Sequence, residues 1–134
     1  MRIDIDTIAT FSAAAHGTVL ATLDLSGAEY AAIGVIVSAV GGSPTTASAD
    51  AIPADSFAGT NLFSSGDVFC TPNFTTAGKY MISRVGTYNS TKASATILSE
   101  GFLLPPPLKY VQIVADIQGG GNITGTVIAF KYTR

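Results

Sequence analysis

KYVQIVADIQ-GGGN-ITGTVIAFKY, residues 109–132, is the stretch that decides the fold. In its first half, apolar residues fall at every second position, with only Val114 out of phase, as expected for a strand with one buried face. These apolar residues are Val111, Ile113, Ala115 and Ile117. Three glycines and an asparagine follow, and they tolerate the positive φ angles of a tight turn. The stretch therefore predicts a β-hairpin.

The return arm of this hairpin, residues 123–132, carries apolar side chains on both faces. One face holds Ile123, Val127 and Ala129, and the other holds Ile128, Phe130 and Tyr132. Both faces of this arm therefore need to be covered. We interpret Phe130 and Tyr132 either as core residues or as a contact with another subunit.

Upstream segments predict further strands. Residues 17–25 alternate, and residues 30–40 are apolar on both faces, as in the central strand of a sandwich. Shorter apolar pieces follow between residues 57 and 104, including a hairpin within 57–74. The total is about seven or eight strands, with turn signals roughly every eight to twelve residues and no substantial helix. We predict an all-β fold, an antiparallel β-sandwich of the jelly-roll kind.

A chain of 134 residues is long enough for one domain with its own core, so residues 1–134 are predicted to form a single β-sandwich domain. Residues from about 1 to 15 alternate weakly and are predicted to be an extended N-terminal arm that lies along a neighbouring strand or subunit. Residues from about 41 to 55 have almost no large side chain and are predicted to be a long loop that orders on assembly. Pro105–Pro107 predicts a rigid crossover between sheets or an exposed ligand for an aromatic groove.

The composition is unusually poor in charge. Only 12% of residues are charged, about half the usual share, while 47% are hydrophobic and the mean hydropathy is +0.41. No apolar run has the length of a membrane span, so we expect other protein, and not a membrane, to cover the excess apolar surface. A net charge of −2 with scattered basic residues argues against direct binding of nucleic acid. The start lacks the apolar segment of a secretion signal, so we expect synthesis in a cytoplasm.

Residue types that carry catalysis are scarce. His16 is the only histidine and Cys70 the only cysteine; we interpret the first as structural or exposed and the second as a small buried apolar residue. Gly119–Gly121 lacks the lysine of a phosphate-binding loop. We therefore predict no enzyme activity, no cofactor and no metal site.

Asp4 and Asp6 project from one face of an extended segment. They are candidates for a cation site, for a salt bridge to a partner subunit, or for a solvated edge whose charges discourage pairing between edges. Asp50, Asp55 and Asp67 lie near turn residues and are interpreted as Asx turns.

The C-terminal segment resembles the small capsid cement, or decoration, proteins of tailed bacteriophages. The resemblance rests on PLKYVQIV (residues 107–114) and ITGTVIA (residues 123–129), a Pro-rich entry and a basic-aromatic-aliphatic strand that lead through glycines to a Gly-Thr-Val strand. A weaker resemblance extends to residues 11–14 and 17–25. It implies a structural virion protein that binds the outer surface of the assembled capsid, bridges major capsid proteins and has no catalytic residue. Separately, the excess apolar surface leads us to expect a homo-oligomer, a dimer or trimer.

We accordingly expect an interface, not an active site. Its candidate residues are Arg2, Asp4, Asp6, Phe11, Pro44, Pro53, Phe130, Tyr132 and Arg134. Two alternatives are another virion β-protein, of the neck, head fibre or tail, and a receptor- or carbohydrate-binding β-sandwich. The second is poorly supported because the chain has no Trp and only five Tyr.

Overall fold

The computed structural model describes residues 2–54, 69–87, 96–99, 102–103 and 109–133. All the regular secondary structure in these ranges is β-strand. The strands are β1 (Arg2–Ala13), β2 (Val19–Asp24), β3 (Tyr30–Gly41), β4 (Thr46–Ala54), β5 (Phe69–Cys70), β6 (Gly78–Met81), β7 (Ser83–Thr87), β8 (Thr96–Ser99), β9 (Phe102–Leu103), β10 (Tyr110–Gln118) and β11 (Asn122–Thr133).

The strands form two antiparallel sheets. Sheet A has the order β1-β11-β3-β6, with β9 also paired to β3, and sheet B has the order β2-β10-β4-β5-β7-β8. The prediction of an all-β antiparallel sandwich without a substantial helix is confirmed. The strands named above include very short ones, such as β5 and β9 with two residues each, which leave no readable alternation in the sequence.

The core lies between the sheets and follows the predicted alternation. In β10, Val111, Ile113 and Ala115 are at most 1% exposed, and in β11 Ile123, Val127 and Ala129 are fully buried. The core also receives large side chains from other segments; these are Leu23, Leu25, Ile33, Val35, Val37, Phe74 and Ile82. The inward residues of β10 and β11 therefore belong to one core cluster between the two sheets.

The predicted hairpin at residues 109–132 is wrong. Strand β10 pairs with β2 and β4, whereas β11 pairs with β1 and β3, so the chain crosses from one sheet to the other between them. Gly119, Gly120 and Gly121 have φ of +79°, +80° and +131°, one residue more than the two positive φ angles of a type I′ hairpin turn. We call residues 119–121 the β10–β11 arch. Alternation fixes which face of a strand is buried, but not which strand lies beside it.

The predicted loop at residues 41–55 is also wrong over most of its length. Residues 46–54 form β4, which pairs with all of β10, from Thr46 opposite Gln118 to Ala54 opposite Tyr110. Its inward side chains are small, and Ala47, Ala49 and Ala51 are at most 3% exposed. Alanine has a low propensity for β-strands, so the sequence of this segment does not predict a strand. The segment becomes a strand because it pairs with β10. The connection that remains, residues 42–45, joins sheet A to sheet B and is here called the β3–β4 arch.

The predicted N-terminal arm is a strand of sheet A. Residues Arg2–Ala13 lie along β11, with a bulge between Thr7 and Ala9 that leaves Ile8 without an opposite residue. Pro105–Pro107 and most of the hairpin predicted within residues 57–74 lie outside the described residues.

The two arches pack directly on each other. The amide of Thr45 donates to the carbonyl of Gln118 at 2.9 Å. A Cβ on Gly121 would lie 2.8 Å from the carbonyl oxygen of Gly41 and 2.9 Å from Cδ of Pro44. Because the second arch occupies that space, only glycine fits at residue 121.

Gly121→Ala tests this packing against Gly120→Ala, in which the added Cβ meets nothing within 4 Å. Both variants place alanine at a positive φ: at +80° for Gly120 this costs about 1–2 kcal/mol, and at +131° for Gly121, outside the left-handed helical region, it costs more. For Gly121→Ala we expect a further loss of about 1–3 kcal/mol, because the β3–β4 arch must move. Urea unfolding followed by circular dichroism measures both losses, and equal losses would contradict the packing of the arches.

Candidate functional site

Part of the side of sheet A that faces away from the core is apolar, up to the row of Thr126, Ile36 and Lys79, which includes a polar and a charged residue. Alternation and register place its outward residues in three adjacent rows: Ile3, Tyr132 and Tyr30; Ile5, Phe130 and Ala32; and Ile128, Gly34 and Met81. We call these nine residues the apolar outer face. They contain no charged side chain, so a large part of one side of the sandwich offers only apolar and aromatic contacts.

Exposure on this face increases toward β1. Among the described residues, the exposed large hydrophobic side chains are Ile5 at 64%, Ile3 at 48% and Val19, which lies in sheet B. Contiguous exposed apolar surface on a soluble protein marks an interaction site. The apolar outer face is therefore the candidate functional site.

Aromatic packing gives this face a defined shape. The rings of Tyr30 and Tyr132 meet edge to face, with centroids 5.3 Å apart and planes at 74°. The ring of Phe130 lies over Gly34, where a Cβ would be 3.6 Å from its Cε2 atom. The absence of a side chain at residue 34 thus lets the ring lie against the sheet, so the rows of side chains form a packed surface.

The outward side of sheet B has a different chemistry. Its outward positions include Ser48, Asp50, Gln112 and Asp116, which alternate with the inward alanines and isoleucines of β4 and β10. Asp116 is 3% exposed and accepts a hydrogen bond from Nε2 of Gln118 at 3.2 Å. Ser48, Gln112 and Asp116 are at most 8% exposed, so these polar side chains offer little surface to a partner.

Four charged residues lie on the side of β1 opposite to its isoleucines. Nη2 of Arg2 is 3.1 Å from Oδ2 of Asp4, and Nζ of Lys131 is 3.3 Å from Oδ2 of Asp6. With residues of the turn after β2, they line a groove. Because each carboxylate already has a basic neighbour, the arrangement does not favour the cation site considered for Asp4 and Asp6. The described residues contain no group of three or more His, Cys, Asp and Glu residues suited to a metal ion.

The other predicted interface residues are dispersed. Phe11 is 9% exposed and packs in the core against Gly125, so its side chain is not available to a partner, and that prediction is wrong. Pro44 lies in the β3–β4 arch, and Pro53 is half-buried opposite Val111. Arg134 lies outside the described residues.

Phe130 and Tyr132 are on the apolar outer face, so their interpretation as core residues is wrong. Sequence reasoning missed Ile3 and Ile5, although it named the charged residues on either side of each. The alternation in RIDID, residues 2–6, was the signal that could have found them.

His16 and Cys70 have structural environments. Nδ1 of His16 lies 3.3 Å from the amide nitrogen of Ile117 and 3.3 Å from Oδ1 of Asp116, so the side chain ties the turn after β1 to β10. Cys70 is 1% exposed in β5. Neither arrangement is that of a nucleophile with an adjacent base.

The chain matches no protein-family model, no curated protein and no solved structure. Among the described residues, no helix has the length and hydropathy needed to cross a membrane.

Asp24, at the end of β2, stabilises the turn that borders the groove. The Ser26 hydroxyl, and the Ser26 amide at 2.9 Å from Oδ1, donate to its carboxylate and hold its pKa below the ordinary value, with a smaller contribution from the charge of Lys131. A lowered folded-state pKa means that the ionised carboxylate stabilises the fold above the unfolded pKa of about 3.9. This contribution is lost as the pH falls through the folded pKa.

Asp24→Asn keeps an acceptor oxygen but removes the charge. We expect the variant to unfold at a lower urea concentration than the wild type at pH 7, and the two midpoints to converge as the pH is lowered from about 4 toward about 2. The same comparison in a Ser26→Ala background should give a smaller difference at pH 7. A difference that stays constant down to the lowest pH would contradict the assignment.

Proposed function

We propose that the chain is a structural virion protein, a capsid cement subunit that binds the outer surface of an assembled phage head and bridges major capsid proteins. The observation that carries the proposal is the apolar outer face, with Ile5 exposed at 64% and three rows free of charge. A surface of this kind suits a broad protein contact. The identity of the partner comes from the resemblance of residues 107–114 and 123–129 to cement proteins.

Stabilisation by such a subunit depends on contact area. A charge-free face of a packed sheet binds through apolar burial, and a subunit that lies across two capsid proteins adds its own contacts to those between them. Separation of the two capsid proteins must then break these contacts as well. The protein would act at the outside of the capsid, after synthesis in the host cytoplasm, without a cofactor.

The finer description of the fold, a jelly roll, is part of the proposal. When β7, β8 and β9 are set aside, the eight other strands, renumbered along the chain, have the orders 1-8-3-6 and 2-7-4-5. This order, in which most successive strands lie in opposite sheets, supports a jelly roll. Jelly rolls serve in viral capsids and also in lectins, so the fold is compatible with the carbohydrate-binding alternative too.

Cosedimentation with assembled capsids that lack the protein tests the function. We expect saturable binding at a fixed ratio to the major capsid protein, and capsids that survive a higher temperature or a stronger osmotic shock. No binding would contradict the proposal, and a glycan array would then test the carbohydrate-binding alternative.

A matched pair of variants tests the surface. Ile128→Asp places a charge on the apolar outer face, on the central strand β11, and should weaken capsid binding by more than about tenfold, because the charge loses its water on contact. Val19→Asp makes the same kind of change at an exposed residue of sheet B and should bind as the wild type does. Unfolding curves check that both variants fold. Equal binding by both variants would show that another surface contacts the capsid.

A further inference from the structure

Strand β1 lies at one end of sheet A. It pairs with β11 on one side, and no other described strand pairs with its second side. The edge of a strand presents backbone donors and acceptors that a further strand can pair with. The regular part of this edge is Arg2–Thr7, because the bulge at Ile8 interrupts the strand beyond it.

We propose that the edge segment Arg2–Thr7 pairs antiparallel with the same segment of a second copy of the chain, about a two-fold axis at Asp4, so that the two A sheets become one continuous sheet. The partner is a second copy because the segment is complementary to itself in charge and in apolar side chains. This inference is independent of capsid binding.

Charge selects the register. Residues that lie directly opposite in an antiparallel pair point to the same face, so an axis at Asp4 sets Arg2 opposite Asp6 of the partner subunit, twice by symmetry. An axis at Ile5 would instead set Asp4 opposite Asp6 of the partner subunit, and the two carboxylates would repel each other. An axis at Ile3 would pair fewer residues of the segment. The axis at Asp4 is therefore favoured.

One like-charge contact opposes this register, because the two Asp4 carboxylates meet at the axis. Each has a guanidinium beside it already, since Nη2 of Arg2 lies 3.1 Å from Oδ2 of Asp4 within one chain. Arg2, Asp4, Asp6 and Lys131 together carry no net charge in each copy. The opposing carboxylates are thus embedded in a neutral cluster, which offsets their repulsion.

Apolar side chains favour the same register. Ile3 and Ile5 are exposed at 48% and 64%. In this register Ile3 of each copy would lie opposite Ile5 of the partner subunit. Pairing would bring the four exposed isoleucines into contact, reduce their exposure and join the two apolar outer faces into one. Capsid contact would then involve a surface of twice the width.

Inward charges and a bulge also occur on edges that are protected from pairing, so the charges must be tested directly. Arg2→Asp makes residues 2, 4 and 6 all acidic, and Asp6→Arg makes residues 2 and 6 both basic. Each variant alone should repel itself and be monomeric at concentrations where the wild type is a dimer. An equimolar mixture should form a heterodimer, because both cross-strand pairs are then complementary.

Size-exclusion chromatography with light scattering measures these states without capsids, and a tag on one variant identifies the heterodimer. A variant that was merely less stable would not be rescued by its complement. A monomeric wild type, or single variants that remain dimeric, would overturn the inference. None of these outcomes bears on the capsid-binding test.

A cross-link tests the axis itself. In this register residue 4 lies opposite residue 4 of the partner subunit at about 4.5–5.5 Å between Cα atoms, within the range of a disulfide. Asp4→Cys should give a covalent dimer with oxidised glutathione, whereas Thr10→Cys, exposed on the same strand beyond the bulge, should not. The native Cys70 is buried and does not compete. Equal cross-linking of both variants would refute the axis at Asp4.

Discussion

The close contact between the β3–β4 arch and the β10–β11 arch is the constraint on which the rest of the structure depends. Both arches carry the chain from one sheet to the other, and they lie side by side because glycine leaves room for Pro44 and for the backbone at residue 41. This contact sets the register of β4 on β10 and of β11 on β3 at the same end of the sandwich. Four long strands are thereby placed in two layers, and their inward faces form the core.

Once β11 is central in sheet A, its alternation divides the side chains by role. The inward residues complete the core, and the outward residues Ile128, Phe130 and Tyr132 lie between β1 and β3 on the apolar outer face. Sheet A therefore has large apolar regions on both sides, and no described element covers the apolar outer face. The three rows of the apolar outer face carry no charged residue, which is one place where the low charge content of the sequence appears in the structure.

Sequence patterns predicted the class of fold and the buried face of β10, because alternation reports directly on which side of a strand is buried. They failed for strand partners, since a glycine-rich turn is compatible with both a hairpin and an arch. They also failed for β4, whose alanines and serines become a central strand only through pairing with β10. For the candidate site, the prediction selected the charged residues of β1 and overlooked Ile3 and Ile5, which alternate with them. The burial of Phe11 depends on the close approach of Gly125, a contact that no local sequence pattern predicts.

The strand order also bears on how the protein comes to fold. Strand β11 lies between β1 and β3, and β10 lies between β2 and β4, yet both are later in the chain than every other described strand. During translation, β1 to β4 cannot pair with β10 and β11 until these two late strands have left the ribosome, so their apolar residues stay exposed. Pairing across such sequence separations is slow because a long loop must close first. Both sheets are therefore completed only when the two late strands are available, and until then the apolar residues of the early strands favour aggregation.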